Sequence, residues 1–283
     1  MSSNAFKNGN QEKGHSMIEQ LSGATRVYFI IGDPIAQVKS PAGVTAALAA
    51  KGLNAIVVPI HIGGSDLGDF MKAAAKIKNV DGIIVTVPHK FDAYPYCATV
   101  SERSRFLAAA NVMRRNEDGS WHGDMLDGLG FVAALREAGG EPAGKRALLV
   151  GAGGAGSAIA HALVEAGVSS IAIHDGDTVR RDALIARLVG IGKTPVTAGS
   201  ADPAGFDLIA NATPMGMKPG DPLPVHAEGL RPAMFVGDVI TVPAVSALIA
   251  AARENGCGTM TGTGMFKQVS DRMVDFFVER GAA

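Results

Sequence analysis

Apolar positions along the chain fall into runs of two kinds that alternate. Short runs rich in β-branched and aromatic residues, "RVYFIIG" (26–32), "NAIVVPIHI" (54–62) and "GIIVTVP" (82–88), read as strands. Between them lie alanine-rich stretches, "SPAGVTAALAAKG" (40–52) and "SDLGDFMKAAAKI" (65–77), that read as helices. This order predicts a βαβαβ series on a parallel sheet. Ser40 is expected as the N-cap of the first helix, with Pro41 at its first helical position. In "IVTVPHK" (84–90), Val85 and Val87 are expected to anchor one face and Thr86 to turn its hydroxyl to a cleft. Pro88 then stops the sheet and Lys90 arrives at its end.

From Ala110 the pattern changes. "NVMRR", the turn "NEDGS" and "WHGDM" predict a β-hairpin rather than another crossover. A pivot near Asp118 sets Asn111 opposite Met125 and close to Asp127. "GLGFVAALREAGG" (128–140) is then a helix bridging two halves, and "RALLV" (146–150) opens a second domain.

Composition narrows the partners. At 283 residues the length suits two domains around a cleft, and 47% apolar with 19% charged residues is that of a globular enzyme. A formal net charge of −1 removes the electrostatic case for nucleic acid or anionic membrane, so a small-molecule substrate is expected. Cys97 and Cys257 lack the paired spacing of a zinc or redox motif and read as reduced thiols. The opening stretch, residues 1–24, is polar and has no secretory apolar core, and no apolar run reaches membrane-spanning length. It reads as a disordered tail on a cytoplasmic protein.

The second domain opens on a nucleotide signature. "RALLVGAGGAGSAIAHALVEAG" is a strand, glycines 151, 153 and 156 in G-x-G-x-x-G spacing, and an amphipathic helix. The first glycine permits a tight turn, the second lets a pyrophosphate approach the backbone, and the third lets helix and strand pack closely. Gly151, Ala152, Gly153, Gly154, Ala155 and Gly156 are therefore the candidate phosphate cradle, at a helix N-terminus. The pattern alone says little in a chain with 36 glycines; the flanking strand and helix give it weight. The next strand ends at Asp175, where a carboxylate can accept both ribose hydroxyls of NAD and repel the 2′-phosphate of NADP. Arg180 and Arg181 follow and could reach that phosphate, so NAD is preferred and NADP stays open. The loops after "FDLIANA" and "MFVGDV" place Thr213 and Val239 where a nicotinamide would sit.

A nicotinamide enzyme also needs a group that gives or takes a proton while hydride moves. Lys90 stands at a strand's carboxyl end, and Asp127 follows the hairpin as the anion to hold it. Burial lowers an amine's pKa and a neighbouring carboxylate raises it, so the two are read as one coupled acid–base unit. A surface lysine and a helix-capping aspartate are the plain alternatives. His15, His61, His122 and His161 show no ligand spacing with Cys, Asp or Glu, so no metal is expected. His89 reads as a packing residue beside Lys90.

Seven motifs in order, "GDPIAQVKSP", "IVTVPHK", "AANVMRR", "GDMLDG", "GAGGAG", "NATPMGM" and "GTGMF", resemble those of the shikimate dehydrogenase family over nearly the whole chain. The resemblance implies an α/β enzyme with two domains. An N-terminal βαβ substrate domain, residues 25–128, is completed by the C-terminal helix within 258–283; a Rossmann-like NAD(P)-binding domain spans 129–257. It implies a catalytic pair at Lys90 and Asp127, substrate contacts at Ser40, Thr86, Asn111 and Gln268, and a cofactor contact at Gly262 in "GTGMF". A monomer or homodimer is expected.

The resemblance is incomplete at the substrate. The family's two carboxylate-binding serines in S-x-S-P are here Val38 and Ser40, and the asparagine of N-V-T-V-P is Ile84. D-N-T-D-G has become "DMLDG", whose Met125 and Leu126 suggest a drier pocket wall. The usual tyrosine falls at Thr241, and the usual glutamine at Val269, with Gln268 one place early. A hydrogen bond to a charged group is worth about 1.5–3 kcal/mol, so each missing donor weakens carboxylate binding by roughly 10- to 150-fold. The expectation is a divergent paralogue acting on a shikimate- or quinate-like cyclic hydroxy acid. A non-catalytic NAD- or ligand-sensing paralogue and a dehydrogenase of an unrelated small hydroxy metabolite are the alternatives.

Overall fold

The computed structural model describes residues 21–279. Most of the segment read as a tail, up to residue 20, lies outside the described residues, as do residues 280–283. Two sheets form the frame. The first is built from β1 (Arg26–Gly32), β2 (Ala55–His61), β3 (Val80–Val85), β4 (Thr99–Val100), β5 (Val112–Arg115) and β6 (Trp121–Asp124), in the order β2-β1-β3-β5-β6-β4. Helices α1 (Ser40–Ala50) and α2 (Leu67–Ala74) make the crossovers, and α3 (Lys90–Ala93) and α4 (Glu102–Leu107) follow β3 and β4. β1 runs parallel to β2 and β3, while the β5–β6 hairpin is antiparallel. Its register pairs Val112 with Asp124, which puts Asn111 opposite Met125 as the turn position predicts.

The second sheet is parallel throughout. Strands β7 (Arg146–Val150), β8 (Ser170–His174), β9 (Val196–Ala198), β10 (Leu208–Asn211), β11 (Phe235–Asp238) and β12 (Gly258–Met260) lie in the order β12-β11-β10-β7-β8-β9. That is the doubly wound dinucleotide-binding order, with its switch point between β7 and β10. Helices α5 (Asp127–Glu137), α6 (Gly154–Glu165), α7 (Thr178–Val189), α8 (Ala247–Glu254) and α9 (Gly262–Val278) complete the chain. Among the described residues no helix is long and apolar enough to cross a membrane.

Three local expectations change. Helix α1 begins at Ser40 itself, with Lys39 in the capping position and no side chain closing the helix end. Ile83, Ile84 and Val85 of β3 are buried on both faces of this central strand, yet Val87 is 58% exposed. The backbone leaves the strand at Thr86, whose carbonyl accepts the His89 N–H at 3.0 Å, so alternation ends before Val87. Residues Gly258–Met260, read with the substrate domain, instead pair with β11 as the outer strand of the second sheet.

Helix α5 is apolar on two faces because it is clasped on both. Buried Phe131, Val132, Ala134 and Leu135 join a core shared with Ile159 and Leu163 of α6 and with Met265, Val269 and Met273 of α9. Two glycines permit the approach. A Cβ on Gly128 would lie 2.1 Å from the Ala158 carbonyl oxygen of α6, and one on Gly130 would lie 2.2 Å from Val269 Cγ2 of α9. The first obstacle is backbone and cannot rotate away. Gly128→Ala is therefore expected to cost about 3 kcal/mol or more in a denaturant titration, at or beyond the usual range for overpacking. Gly64→Ala, where a Cβ meets nothing within 4 Å, is the control. A loss below about 1 kcal/mol for Gly128→Ala would contradict the clasp.

Candidate active site

In an open α/β sheet, ligands bind beyond the carboxyl ends of strands at a switch of strand order. β1 and β3 make such a switch in the first sheet, and their ends touch: a Cβ on Gly32 would lie 2.5 Å from Thr86 Cγ2. Lys90 follows within one turn, and its carbonyl accepts the Ala110 N–H at 2.9 Å, tying the turn to the hairpin entry. The Lys90 Nζ donates to Asp127 Oδ2 at 2.5 Å, with the two side chains 10% and 9% exposed. Asn111 orients the carboxylate from its other side, donating through Nδ2 to Asp127 Oδ1 at 2.7 Å. Its own Oδ1 accepts the Leu126 N–H at 2.8 Å, which fixes which way the amide points. The buried pair is thus held in one geometry, and an amine N–H of Lys90 and one amide N–H of Asn111 stay unspent. His89, fully buried, ties the turn to the β2 loop through Nε2 and the Ile62 carbonyl at 2.7 Å.

The other substrate candidates divide. Ser40 is buried at the start of α1, and neither its hydroxyl nor that of Thr86 has a hydrogen-bond partner among the described residues. Gln268 is not brought to the site. Its Nε2 donates to Glu137 Oε2 at 2.7 Å and its Oε1 accepts from Arg272 at 2.7 Å. Glu137 ends the helix that Asp127 begins, about 15 Å away along its axis. The position one residue on, Val269, instead faces Gly130. Met125 and Leu126 are both buried, and Met125 lines a cavity between α4, α5 and α6 rather than the space beside Lys90. Met125 packs with Leu107, Ala109 and Ala158, and Leu126 lies in the main core.

The glycine loop faces this pair from the other sheet. Gly151 has φ +101° and packs on Ala212 of the β10 loop, and a Cβ on Gly156 would lie 1.8 Å from the Gly151 carbonyl oxygen. At Gly153 a Cβ would meet nothing within 4 Å, so the loop is open where a pyrophosphate would come closest. No side chain caps α6, whose first N–H groups face that opening. The cradle fits a dinucleotide. A Cβ on Gly154 would lie 3.0 Å from Lys90 Cδ, so the loop lies directly against the lysine stem. Asp175, at the β8 end, accepts the N–H groups of Ala152 (2.6 Å) and Asp177 (2.8 Å) and the Arg180 guanidinium (2.7 Å). Burial pushes its carboxyl up, but the hydrogen bonds from Arg180, Ala152 and Asp177 outweigh that and hold it below the usual range. Arg181 turns away to Asp182.

Beneath the loops that follow β10 and β11 lies a buried network that sequence reading missed. Asp238, with no exposure, accepts from Asn211 Nδ2 (3.0 Å), the Ile240 N–H (3.1 Å) and the Ser246 hydroxyl (2.5 Å). Asn211 Oδ1 in turn accepts the N–H and hydroxyl of Thr213, so the Thr213 side chain is spent on its own loop. Burial pushes the Asp238 carboxyl up, and the hydrogen bonds from Ser246, Ile240 and Asn211 offset this only in part. Val239 follows directly, its N–H bound to the Asn211 carbonyl at 3.2 Å. Gly262 is a packing glycine, since a Cβ there would lie 2.2 Å from the Ile240 carbonyl oxygen. The Lys39 Nζ donates to the Thr241 carbonyl at 3.1 Å.

A parallel dinucleotide-binding sheet whose glycine loop abuts a buried lysine–carboxylate pair defines the class of two-lobed nicotinamide-dependent dehydrogenases. Comparison with known proteins places the chain within that class. The family model described as shikimate dehydrogenase substrate binding domain matches residues 30–113, and that of the ThiF family matches residues 143–188, across the glycine loop. A shikimate dehydrogenase (NADP(+)) of Rubrobacter xylanophilus is 37% identical over 250 residues, 87% of this chain and 88% of the relative. Quinate dehydrogenase from Corynebacterium glutamicum, solved in complex with NAD, superposes with a TM-score of 0.82 at 29% identity, covering 90% of this chain and 94% of that one. A 5-ketofructose reductase of Gluconobacter sp. superposes with a TM-score of 0.81 at 29% identity over the same shares. The chain belongs to the shikimate dehydrogenase family.

Removing Asp238 leaves three buried donors without an acceptor, at about 1–3 kcal/mol each. Asp238→Ala is expected to lower unfolding free energy by about 3 kcal/mol or more in denaturant. Near-native stability would show that the network holds nothing in place.

Proposed function

We propose that this protein is an NAD(P)-dependent dehydrogenase that reversibly oxidises a secondary alcohol on a shikimate- or quinate-like cyclic hydroxy acid. The observation that carries this reading is the buried Lys90–Asp127 pair lying against Gly154 of the nucleotide loop. A bound nicotinamide supplies the hydride acceptor or donor. In the oxidation direction the Lys90–Asp127 unit takes the hydroxyl proton as the carbinol becomes a ketone, and in reduction it returns that proton. Asp127 holds the amine in line, and Asn111 keeps Asp127 from rotating. The unspent N–H of Asn111 and the free hydroxyls of Ser40 and Thr86 position the ring. A clasp of two lobes around the pair keeps bulk water from competing for the proton. The intact pair speaks against a sensor that has lost turnover.

NAD is the preferred cofactor on this reading, although the Rubrobacter relative is an NADP(+) enzyme. Asp175, held ionised, would repel a 2′-phosphate and accept ribose hydroxyls once Arg180 yields a bond. Asp175→Asn is expected to raise the NADP-to-NAD ratio of kcat/KM about tenfold or more, the loss of one like-charge contact. A wild-type enzyme that favours NADP would overturn the preference.

A second reading has its own support. Val38, Ile84, Thr241 and Val269 replace polar groups that the family resemblance places around the substrate. A neutral sugar ketone, such as the 5-ketofructose in the name of the Gluconobacter relative, needs no carboxylate site. Reduction of NAD and NADP over shikimate, quinate and neutral polyols separates the two. Lys90→Ala is expected to lose about 10²- to 10⁴-fold in kcat while cofactor still binds, the usual span for one proton-transfer group. Unchanged turnover in Lys90→Ala would sink the mechanism, and turnover of neutral polyols alone would favour the second reading.

A further inference from the structure

We propose that Arg187, on the nucleotide-binding lobe, is a positioning residue for the reaction: it grips the end of α4 and so fixes where Asn111 stands beside Asp127. The inference rests on the reading of Lys90, Asp127 and Asn111 as the reacting site and adds a residue from outside it. Arg187 lies in the last turn of α7, and its Nη1 donates to the carbonyl of Leu107, the last residue of α4, at 2.9 Å. The last carbonyls of a helix have no partner within it, so this one is free to accept from the other lobe. Asn111 follows four residues later.

Every residue between the two is held. Ala108 has a left-handed backbone, φ +49°, alone among the described non-glycine residues, and such strain persists only where the surroundings over-determine it. Fully buried Ser104 donates its hydroxyl to the Ala109 carbonyl at 2.6 Å. The Ala110 N–H goes to the Lys90 carbonyl and the Asn111 N–H to the Asp124 carbonyl, both at 2.9 Å. A fixed backbone strap thus runs from the second lobe to the side chain that orients Asp127. Its far end is docked there by apolar contacts as well. The Phe106 ring centroid lies 4.8 Å from that of His161, and Leu107 and Ala109 pack with Ala158 of α6. Apolar contacts are non-directional, whereas the Arg187 hydrogen bond sets the direction of the Leu107 carbonyl and hence of the turn that follows. The Arg187 side chain is itself exposed, so its removal opens no cavity in the core. It stands about 10 Å along α7 from Arg180, the residue that meets Asp175, and so lies away from the nucleotide end of the helix.

The test compares the full chain as wild type, Arg187→Ala, Arg187→Lys, Asn111→Ala and the double variant Arg187→Ala/Asn111→Ala. Steady-state kinetics use the substrate that the wild type turns over best, and amide hydrogen exchange is followed in the cofactor-free protein. Arg187→Ala is expected to lower kcat about tenfold or more, since a displacement of about 1 Å far from the chemistry can cost about a hundredfold. Cofactor affinity should be retained, and Arg187→Lys, which can still donate to the carbonyl, should recover most of the loss. Exchange at Ala109, Ala110 and Asn111 should quicken while that of β7 stays as in the wild type. In the Asn111→Ala background the loss of Arg187 should cost little more, because residues that act through one contact are not additive. An unchanged kcat in Arg187→Ala, or a loss that multiplies in full with that of Asn111→Ala, would overturn the role of Arg187. The proposed function would still stand in that case if Lys90→Ala abolished turnover. Wild-type turnover in both Lys90→Ala and Asn111→Ala would overturn both.

Discussion

The clasp on helix α5 is the constraint from which the site follows. Where Gly128 and Gly130 bring its backbone against α6 and α9, no side chain could stand between, and three helices share one core. Asp127 is the first residue of that helix. Its carboxylate is therefore placed by helix packing, while Lys90 is placed by the end of β3 and the hairpin entry. Two separate frameworks meet at a 2.5 Å hydrogen bond, and the glycine loop of the second sheet closes against the lysine stem.

Burial makes each polar group in this arrangement depend on its partners. A buried carboxylate is sustained by the donors around it, and Asn111 serves the second oxygen of Asp127 while its own carbonyl is held by the Leu126 N–H. Asp238 does the same under the second sheet's loops, joining the ends of β10 and β11 to Ser246. The two networks lie on opposite sides of the crevice. Rigid donors and acceptors at both walls are what hydride and proton transfer between fixed positions require.

The departures from the family pattern leave the buried lysine–aspartate pair untouched. Lys90, Asp127 and Asn111 are kept, whereas Val38, Ile84, Thr241 and Val269 differ, in the turn before α1, in β3, in the loop after β11 and in α9. Lys39, between Val38 and Ser40, donates across to the Thr241 carbonyl.

The sequence by itself determined the elements whose signal is local. Alternating runs specified two α/β lobes, turn position set the Asn111–Met125 register, and G-x-G-x-x-G marked the nucleotide loop, because periodicity, turn chemistry and glycine spacing act over a few residues. Tertiary structure decided what depends on direction and distance. Val87 left the core because the chain turned one residue earlier than its pattern implied. Gln268 turned to Glu137 because one residue is about 100° around a helix. Lys39 met Thr241 from 202 residues away, and Asp238 found Asn211 across adjacent strands. Such contacts have no sequence period, since they are set by how the two sheets and α5 pack together, and only the folded chain brings them within hydrogen-bonding reach.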